Sequence, residues 1–262
     1  FFLFFGFEGP AEWHKSYPIA QGNRQSPIDI ISAKAVYDPK LMPLVISYES
    51  CTSLNISNNG HSVMVEFEDI DDKTVISGGP FESPFRLKQF HFHWGAKHSE
   101  GSEHTIDGKP FPCEASMRIL FLTLKLFICC LGLLPNVQPF LQVSLLALQL
   151  GCFAHTRLLL PSMVLCLSIV FQGTKAQFRS FNPKCLLPLS LDYWTYLGSL
   201  TTPPLNESVI WVVLKEPISI SEKQLEKFRM LLFTSEEDQK VQMVNNFRPP
   251  QPLKGRTVRA SF

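Results

Sequence analysis

The run QFHFHW at residues 89–94 holds side chains that could bind a metal ion. Residues two apart in a β-strand point to the same side, so Gln89, His91 and His93 share one face while three aromatic rings share the other. A buried aromatic face would hold the imidazoles side by side as half of a zinc site, with Gln89 hydrogen-bonded to an imidazole nitrogen. The pattern alone favours two half-exposed strand histidines without a metal, because two ligands do not make a zinc site.

The elements around this run indicate a sheet-dominated fold. Alternation over residues 62–67 puts Val63, Val65 and Phe67 on one face, and the Asn-Asn-Gly sequence at residues 58–60 is a strong turn signal. Ser221 and Gln224 have the spacing of a helical capping box. The predicted elements are strands at 45–48, 54–56, 62–67, 85–94 and 209–214 and a short helix at 221–232.

Composition narrows the class of protein. The 262 residues include 24 Lys and Arg against 23 Asp and Glu, so the formal net charge is +1. Such a balance argues against nucleic-acid binding, which needs a basic surface to neutralise phosphates. The seven cysteines show no CxxC spacing, and an odd, irregular set is not typical of a secreted disulfide scaffold. We therefore expect a folded, cytoplasmic protein.

Six motifs along the chain resemble those of the α-class carbonic anhydrases, in the same order. They are SPIDI at 26–30, NNGHSV at 58–63, FHFHWG at 90–95, SEHTIDG at 102–108, YWTYLGSLTTPPL at 193–205 and NNFRPPQPL at 245–253. The details are most similar to the vertebrate cytosolic members, and the resemblance covers residues 9–114 and 173–262. It implies one α+β domain over 9–262, with a large, twisted, mostly antiparallel central sheet and short peripheral helices. Residues 1–8 form an apolar start outside the resemblance.

The resemblance implies zinc-dependent, reversible hydration of carbon dioxide to bicarbonate and a proton by zinc-bound hydroxide. His91 and His93 match two of the three zinc ligands, and His61 matches the proton-shuttle histidine. Thr201 matches the residue that accepts a hydrogen bond from the hydroxide, and Glu103 the carboxylate that orients this threonine. The other matched positions are Thr202 in the substrate pocket, Leu200 and Trp211 in its apolar wall, and Gln89, Glu114, His104 and Tyr196 in supporting hydrogen bonds.

The expected ligands and partners follow from the same resemblance. They are Zn²⁺ as the cofactor, carbon dioxide and bicarbonate as substrates, and sulfonamides and anions as inhibitors. We expect a monomer that binds neither nucleic acid nor a membrane. Without the family context, His61 would be interpreted as a surface histidine on a turn, and the TTPP sequence that begins at Thr201 as a turn.

The resemblance fails after Glu114, where the family strand reads E-L-H-L-V-H-W-N and its first histidine is the third zinc ligand. Ser116 holds that position here, and serine is a poor zinc ligand. Glu114 would then lack the imidazole that it orients. Other residues that could supply a third zinc ligand are Glu114 itself, His155, Cys113 and Cys129, but none lies at a matching position. The sequence thus predicts impaired hydration, and the alternative is an inactive scaffold that binds a partner.

The non-matching segment, residues 115–172, contains no Asp or Glu and 17 Leu. Its Phe, Leu, Ser and Pro content is typical of translated pyrimidine-rich, non-coding sequence, and we expect it to disrupt the central sheet. A membrane anchor is a further interpretation, but its apolar run at 119–134 contains Lys125 and is shorter than the roughly 20 residues of a spanning helix. The FFLFFGF start lacks a basic region and a cleavage site, so it does not predict a signal peptide.

Overall fold

The computed structural model describes residues 9–48, 53–68, 75–121, 140–148, 168–179 and 181–262. Within these residues the chain is dominated by β-strands, as the sequence predicts. The strands are β1 (Asp29–Ile30), β2 (Val36–Tyr37), β3 (Leu44–Ser47), β4 (Ser53–Asn58), β5 (Val63–Phe67), β6 (Val75–Gly78), β7 (Phe85–Trp94), β8 (Thr105–Ile106), β9 (Cys113–Phe121), β10 (Phe140–Leu148), β11 (Lys175–Gln177), β12 (Tyr193–Gly198), β13 (Val209–Leu214), β14 (Ile218–Ser219) and β15 (Arg259–Ala260). The α-helices are α1 (Trp13–Ser16) and α2 (Glu222–Arg229), and 3-10 turns cover Pro18–Gln21, Ser32–Lys34 and Pro183–Leu186.

In the described part of the chain, thirteen strands form one large sheet. Its main order is β11-β4-β5-β7-β9-β10-β13-β12-β15-β2, with β3, β6 and β14 attached at its sides, while β1 and β8 pair separately. Most neighbouring strands are antiparallel, and the parallel pairs of the large sheet are β10 with β13, β10 with β14 and β15 with β2. The expected mostly antiparallel central sheet with short helices is confirmed.

Strand β7 lies inside this sheet between β5 and β9, and its two faces differ as predicted. Phe90, Phe92 and Trp94 are buried in the main core. The ring centroids of Phe92 and Trp94 lie 4.9 and 5.0 Å from that of Phe228 on α2. Burying each of these rings contributes about 1.5–3 kcal/mol or more. This burial fixes the strand's orientation, because a slip of one residue would bury the histidine face instead.

Strand β9 runs into the leucine-rich segment, and β10 lies within it. β9 pairs antiparallel with β7 along its whole length, and β10 pairs with β9 on one side and β13 on the other. The expected disruption of the sheet is therefore not seen at residues 115–121 and 140–148, which extend it. Residues 122–139 and 149–167, with Cys129 and His155, lie outside the described residues.

The local signals at turns and helix ends are also present. The Ser221 hydroxyl accepts a hydrogen bond from the Gln224 backbone N–H, and the Gln224 side chain accepts one from the Ser221 N–H, so the capping box is confirmed. Gly60 has φ +83° in the predicted turn, a conformation that favours glycine. None of the helices in the described part of the chain has the length and apolar character that crossing a bilayer requires.

Candidate active site

A cavity of about 420 Å³ opens on the histidine face of β7. It brings together residues from three separate motifs of the sequence. The predicted site residues that line it are His61, Gln89, His91, His93, Leu200, Thr201 and Thr202. The remaining predicted residues, Glu103, Glu114, His104, Tyr196 and Trp211, are buried within the protein and are not among those that line the cavity.

His91 and His93 lie side by side, with ring centroids 5.1 Å apart and ring planes at 77°. The Nδ1 atom of His91 is 3.0 Å from the Gln89 side-chain oxygen, and that of His93 is 2.7 Å from the Asn246 carbonyl oxygen. Because a carbonyl oxygen can only accept a hydrogen bond, each neutral ring carries its proton on Nδ1. Both Nε2 atoms are therefore left with a lone pair, as metal binding requires.

Electrostatics favour the neutral form of the first imidazole. Burial, the neighbouring His93 and the Arg118 guanidinium lower the pKa of His91 to about 3, against an opposing effect of Glu114. The Nε2 atom of His93 is buried without a hydrogen-bond partner and lies 3.4 Å from a Glu103 oxygen. These two nitrogens form the donor half of a metal site.

Ser116 matches the third-ligand position that the resemblance implies, and the sheet shows where this residue lies. In the β7–β9 ladder Ser116 pairs with His91 and Glu114 pairs with His93. Ser116 is fully buried on the same side of the sheet. The strand therefore places Ser116 next to His91, on the side of the sheet that carries the imidazoles.

The described substitutes do not fill the gap. Cys113 is buried in the hydrophobic core, where burial raises the pKa of its thiol. Glu114 is fully buried and already accepts hydrogen bonds from two backbone N–H groups, those of Glu103 and His104, each at 2.8 Å. Within the described residues, no group of three His, Cys, Asp or Glu side chains is arranged to hold a metal.

Glu114 has no imidazole at position 116, as the sequence predicts, but its side chain is held by other hydrogen bonds. Its second carboxylate oxygen lies 2.9 Å from His104 Nδ1, and His104 Nε2 lies 2.7 Å from the Tyr196 hydroxyl. The Tyr196 hydroxyl in turn donates to the Ser26 hydroxyl at 3.0 Å. Glu114 thus anchors a buried polar chain, which is intact although the zinc-ligand position is changed.

Glu103 is buried beside His93. One of its oxygens accepts the Arg248 backbone N–H at 3.0 Å. Burial and the neighbouring Glu114 raise the pKa of Glu103, while His93, the Arg248 N–H and the Thr201 side chain oppose this rise. The other Glu103 oxygen is buried without a hydrogen-bond partner, so the Glu103–Thr201 hydrogen bond that the resemblance implies stays a prediction.

The apolar wall is only partly as predicted. Leu200 lines the cavity, whereas Trp211 is fully buried behind it, where its ring centroid lies 4.6 Å from that of His104. The Trp211 indole N–H donates to the Ser199 carbonyl at 3.0 Å. Trp211 therefore supports the polar chain from the side. His61 lines the cavity, and burial lowers its pKa.

Three residues of the site were not singled out from the sequence. Asn246 holds His93 through its carbonyl, and Arg248 holds Glu103; both lie in the NNFRPPQPL motif, which could have indicated them. Arg118 lines the cavity beside His91. Alternation along β9 from Ser116 could have placed it there, because residues two apart share a face.

The sequence is similar to those of known proteins over most of its length. The model of the eukaryotic-type carbonic anhydrase family matches residues 8–125 and 155–262. The chain belongs to the carbonic anhydrase family. The match extends further into the leucine-rich segment than the motifs do, and it includes residue 116. Carbonic anhydrases are zinc-dependent lyases that reversibly hydrate carbon dioxide.

Individual carbonic anhydrases are similar over nearly the whole chain. Carbonic anhydrase 7 of Homo sapiens is 59% identical over 259 residues, which are 97% of this chain and 95% of that protein. Carbonic anhydrase 7 of Mus musculus is 58% identical over the same shares. The protein named "Carbonic anhydrase 5B, mitochondrial" of Rattus norvegicus is 49% identical over 97% of this chain and 78% of its own length.

The donor atoms of this site can be compared with the ligands that the family's zinc ion requires. Two imidazoles fit it, because both Nε2 atoms are left with a lone pair and that of His93 is buried without a partner. The third position does not fit, because Ser116 offers a neutral hydroxyl where zinc prefers nitrogen, thiolate or carboxylate. The donor set of the described site is therefore incomplete.

Proposed function

We propose that this chain hydrates carbon dioxide far more slowly than carbonic anhydrases with three zinc-binding histidines. The observation that carries the proposal is the pairing of Ser116 with His91 in the sheet. Zinc supplies a nucleophile at neutral pH when three protein ligands hold it and leave one position open. With two imidazoles the ion is bound more weakly, so we expect most chains to lack it.

The other parts of the site support the same reaction class. We propose that His61 carries protons between the cavity and solvent, that Glu103 orients Thr201, and that Thr202 and Leu200 contact the substrate. Gln89 fixes the tautomer of His91 through its 3.0 Å contact. The roles of Glu114, His104, Tyr196 and Trp211 are to hold these groups from behind, through the buried chain described above.

A second candidate is a catalytically inactive scaffold with the carbonic anhydrase fold. It is favoured by the finding that no three His, Cys, Asp or Glu side chains among the described residues can hold a metal. Such a protein would fold without zinc and act by binding a partner. The two candidates differ in whether the purified chain shows any zinc-dependent turnover.

The deciding experiment is the zinc content of the purified protein together with its hydration rate. The protein is dialysed against zinc, and excess metal is then removed. Two quantities are measured: the zinc bound per chain, and the rate of carbon dioxide hydration by stopped flow with and without a sulfonamide. Substoichiometric zinc with slow, sulfonamide-sensitive hydration supports the first candidate. Folded, zinc-free protein without turnover supports the scaffold. Stoichiometric zinc with rates equal to those of three-histidine members contradicts both.

We further propose that the chain forms a single domain over residues 9–262 and acts as a cytoplasmic monomer. The irregular set of cysteines supports a reducing compartment, and the near-neutral charge supports the absence of a nucleic-acid partner. Cell fractionation tests the location, and mitochondrial recovery would contradict it. Sedimentation tests the oligomeric state, for which we expect a mass near 29.7 kDa.

A further inference from the structure

We propose that a second cavity, which lies between the turn Ser32–Lys34 and the segment 250–258, binds a medium-chain aliphatic carboxylate. This second cavity has a volume of about 620 Å³. Among the described residues, it shares no lining residue with the cavity on the histidine face of β7. The proposal therefore goes beyond the hydration reaction and does not depend on it.

The walls of the second cavity are aliphatic. They are formed by Ile31, Val36, Pro250, Pro252, Leu253 and Val258. Ile31 and Val36 are 41% and 53% exposed, so a ligand in the cavity would remove apolar surface from water. No aromatic side chain lines the cavity in the described part of the chain. An aromatic ligand would therefore find no ring to pack on, whereas a saturated chain suits these walls.

Backbone hydrogen bonds hold the walls in place. The Val36 N–H donates to the Val258 carbonyl at 2.9 Å, which joins β2 to the segment 250–258. The Arg256 guanidinium donates to four backbone carbonyls, those of Gln25, Leu197, Pro252 and Leu253. Val258 belongs to a hydrophobic cluster of the protein, and Leu253 packs against that cluster. Because the walls are already ordered, a ligand has little protein entropy to overcome when it binds.

The charges around the second cavity favour an anionic head group. Within the described residues, two cations line it, Lys34 and Arg256, against one carboxylate, Asp29. One Asp29 oxygen already accepts hydrogen bonds from the Thr105 hydroxyl at 2.6 Å and the Gly108 N–H at 2.9 Å. Lys34 is exposed, and in the described part of the chain its ammonium group has no hydrogen bond or ion pair. This ammonium group is therefore open to a negative ligand.

A carboxylate on an aliphatic chain matches both the charge and the walls. Its head group would contact Lys34, which acts as a compact point charge, while its chain lies along the aliphatic side chains. Arg256 is held by backbone carbonyls, so it adds positive potential rather than the main hydrogen bond. The volume lies in the range of small-molecule pockets, roughly 300–1,000 Å³, and has room for a chain of about eight carbons.

The test compares three probes that share one chain and differ in the charge of the head group. Octanoate, octylamine and octanol are titrated separately into the ¹⁵N-labelled full-length protein at constant pH and ionic strength, and the backbone amide signals of Val36 and Leu253 are followed. We expect saturable shifts with octanoate and an affinity at least about tenfold lower for the other two probes. The amide of Leu189, whose side chain is 89% exposed and does not line the cavity, reports unspecific adsorption and should not shift saturably.

The length of the chain tests the contribution of the walls. Each methylene group that is removed from water changes the affinity by a factor of about four. Hexanoate has two methylene groups fewer than octanoate, so it should bind roughly 15-fold more weakly. Equal affinities of the two acids would show that the chain is not buried, which contradicts the proposal.

Variants then locate the head group. Lys34→Glu should weaken octanoate binding about tenfold or more, because an attraction between opposite charges becomes a repulsion. Lys34→Gln removes the charge without reversing it and should lie between this variant and the unmodified protein. Lys97→Glu is the matched control, since Lys97 is exposed and does not line the second cavity; octanoate should bind this variant with unchanged affinity.

Three further results would overturn the proposal. The first is the absence of saturable shifts at Val36 and Leu253 up to about 10 mM octanoate, a limit beyond millimolar affinity. The second is binding of octylamine or octanol as tight as that of octanoate, or an equal response at Leu189. The third is equal octanoate affinity in the unmodified protein and in folded Lys34→Glu. The first two need no variant, so they decide the matter even if Lys34→Glu does not fold.

Discussion

Ser116 lies directly opposite His91 in the β7–β9 ladder. Opposed residues of an antiparallel pair have Cβ atoms about 4.5–5.5 Å apart, which is close enough for two side chains to share one metal ion. The sheet therefore places Ser116 beside His91. We propose that this residue stands at the third-ligand position that the family resemblance implies, with a side chain that zinc does not favour.

Restoring the third imidazole should restore zinc binding. We expect Ser116→His to raise zinc affinity by about 100-fold or more, since even the loss of a residue that only supports a ligand costs about 10–100-fold. The larger side chain enters a fully buried site, so a stability cost of about 1–3 kcal/mol is expected. Zinc per chain after dialysis is the measurement. Ser116→Ala is the control, and a similar gain in that variant would contradict the prediction.

Zinc binding alone should not restore rapid hydration. Arg118 stands in the cavity wall next to His91, where a charged side chain is unfavourable for an apolar substrate. We expect Ser116→His to bind zinc but to hydrate carbon dioxide slowly, and Ser116→His with Arg118→Val to be at least about tenfold faster in kcat/KM. Stopped-flow hydration by the two zinc-loaded variants is compared. Equal rates would show that Arg118 does not limit the reaction.

Removing Glu114 should destabilise the fold. Glu114→Ala leaves the backbone N–H groups of Glu103 and His104 and the His104 ring without their acceptor. Each buried unpaired group costs about 1–3 kcal/mol, so the free energy of unfolding should fall by about 3 kcal/mol or more. Urea unfolding followed by tryptophan fluorescence measures it. Glu114→Gln keeps one acceptor oxygen and should lose less; an equal or larger loss would argue against the hydrogen bonds as the cause.

The burial of His61 predicts a pH dependence of stability. Burial lowers the pKa of His61 below its usual 6.5 in the folded protein. Between the folded and the unfolded pKa of His61, the unfolded chain therefore binds more protons than the folded one. The contribution of His61 to the free energy of unfolding is complete above about pH 6.5 and is lost as the pH falls toward the folded pKa. Between pH 7 and 5, His61→Gln should lose less unfolding free energy than the unmodified, metal-free protein. The exposed His14→Gln is the control; matching slopes for all three proteins would refute the prediction.

Local features of the sequence predicted the positions of the strands that carry the site. Alternation over residues 85–94 was sufficient to place His91 and His93 on one face, because the aromatic face has only the core as a place to be buried. The turn before His61 and the capping box of α2 were likewise encoded by a few neighbouring residues. These predictions depend on interactions between residues close in sequence.

The parts that local patterns could not predict involve residues far apart in sequence. The Asn246 carbonyl that orients His93 comes from a segment about 150 residues away, and no local pattern reveals which backbone oxygen reaches an imidazole. The hydrogen bonds of Glu114 were also missed. The sequence shows that Glu114 lacks the imidazole that it would orient, but no local pattern shows that His104 and two backbone N–H groups also hold this carboxylate.

The two rows of side chains on β9 answer to different demands. Ala115, Met117 and Ile119 belong to the hydrophobic core, whereas the alternate row holds the buried Ser116 and Arg118, which lines the cavity. Substitutions at Ser116 and Arg118 can therefore change the site while the core-facing row still holds the strand in the sheet. A protein built this way can exchange one chemistry for another, or give up chemistry altogether, and still keep its shape.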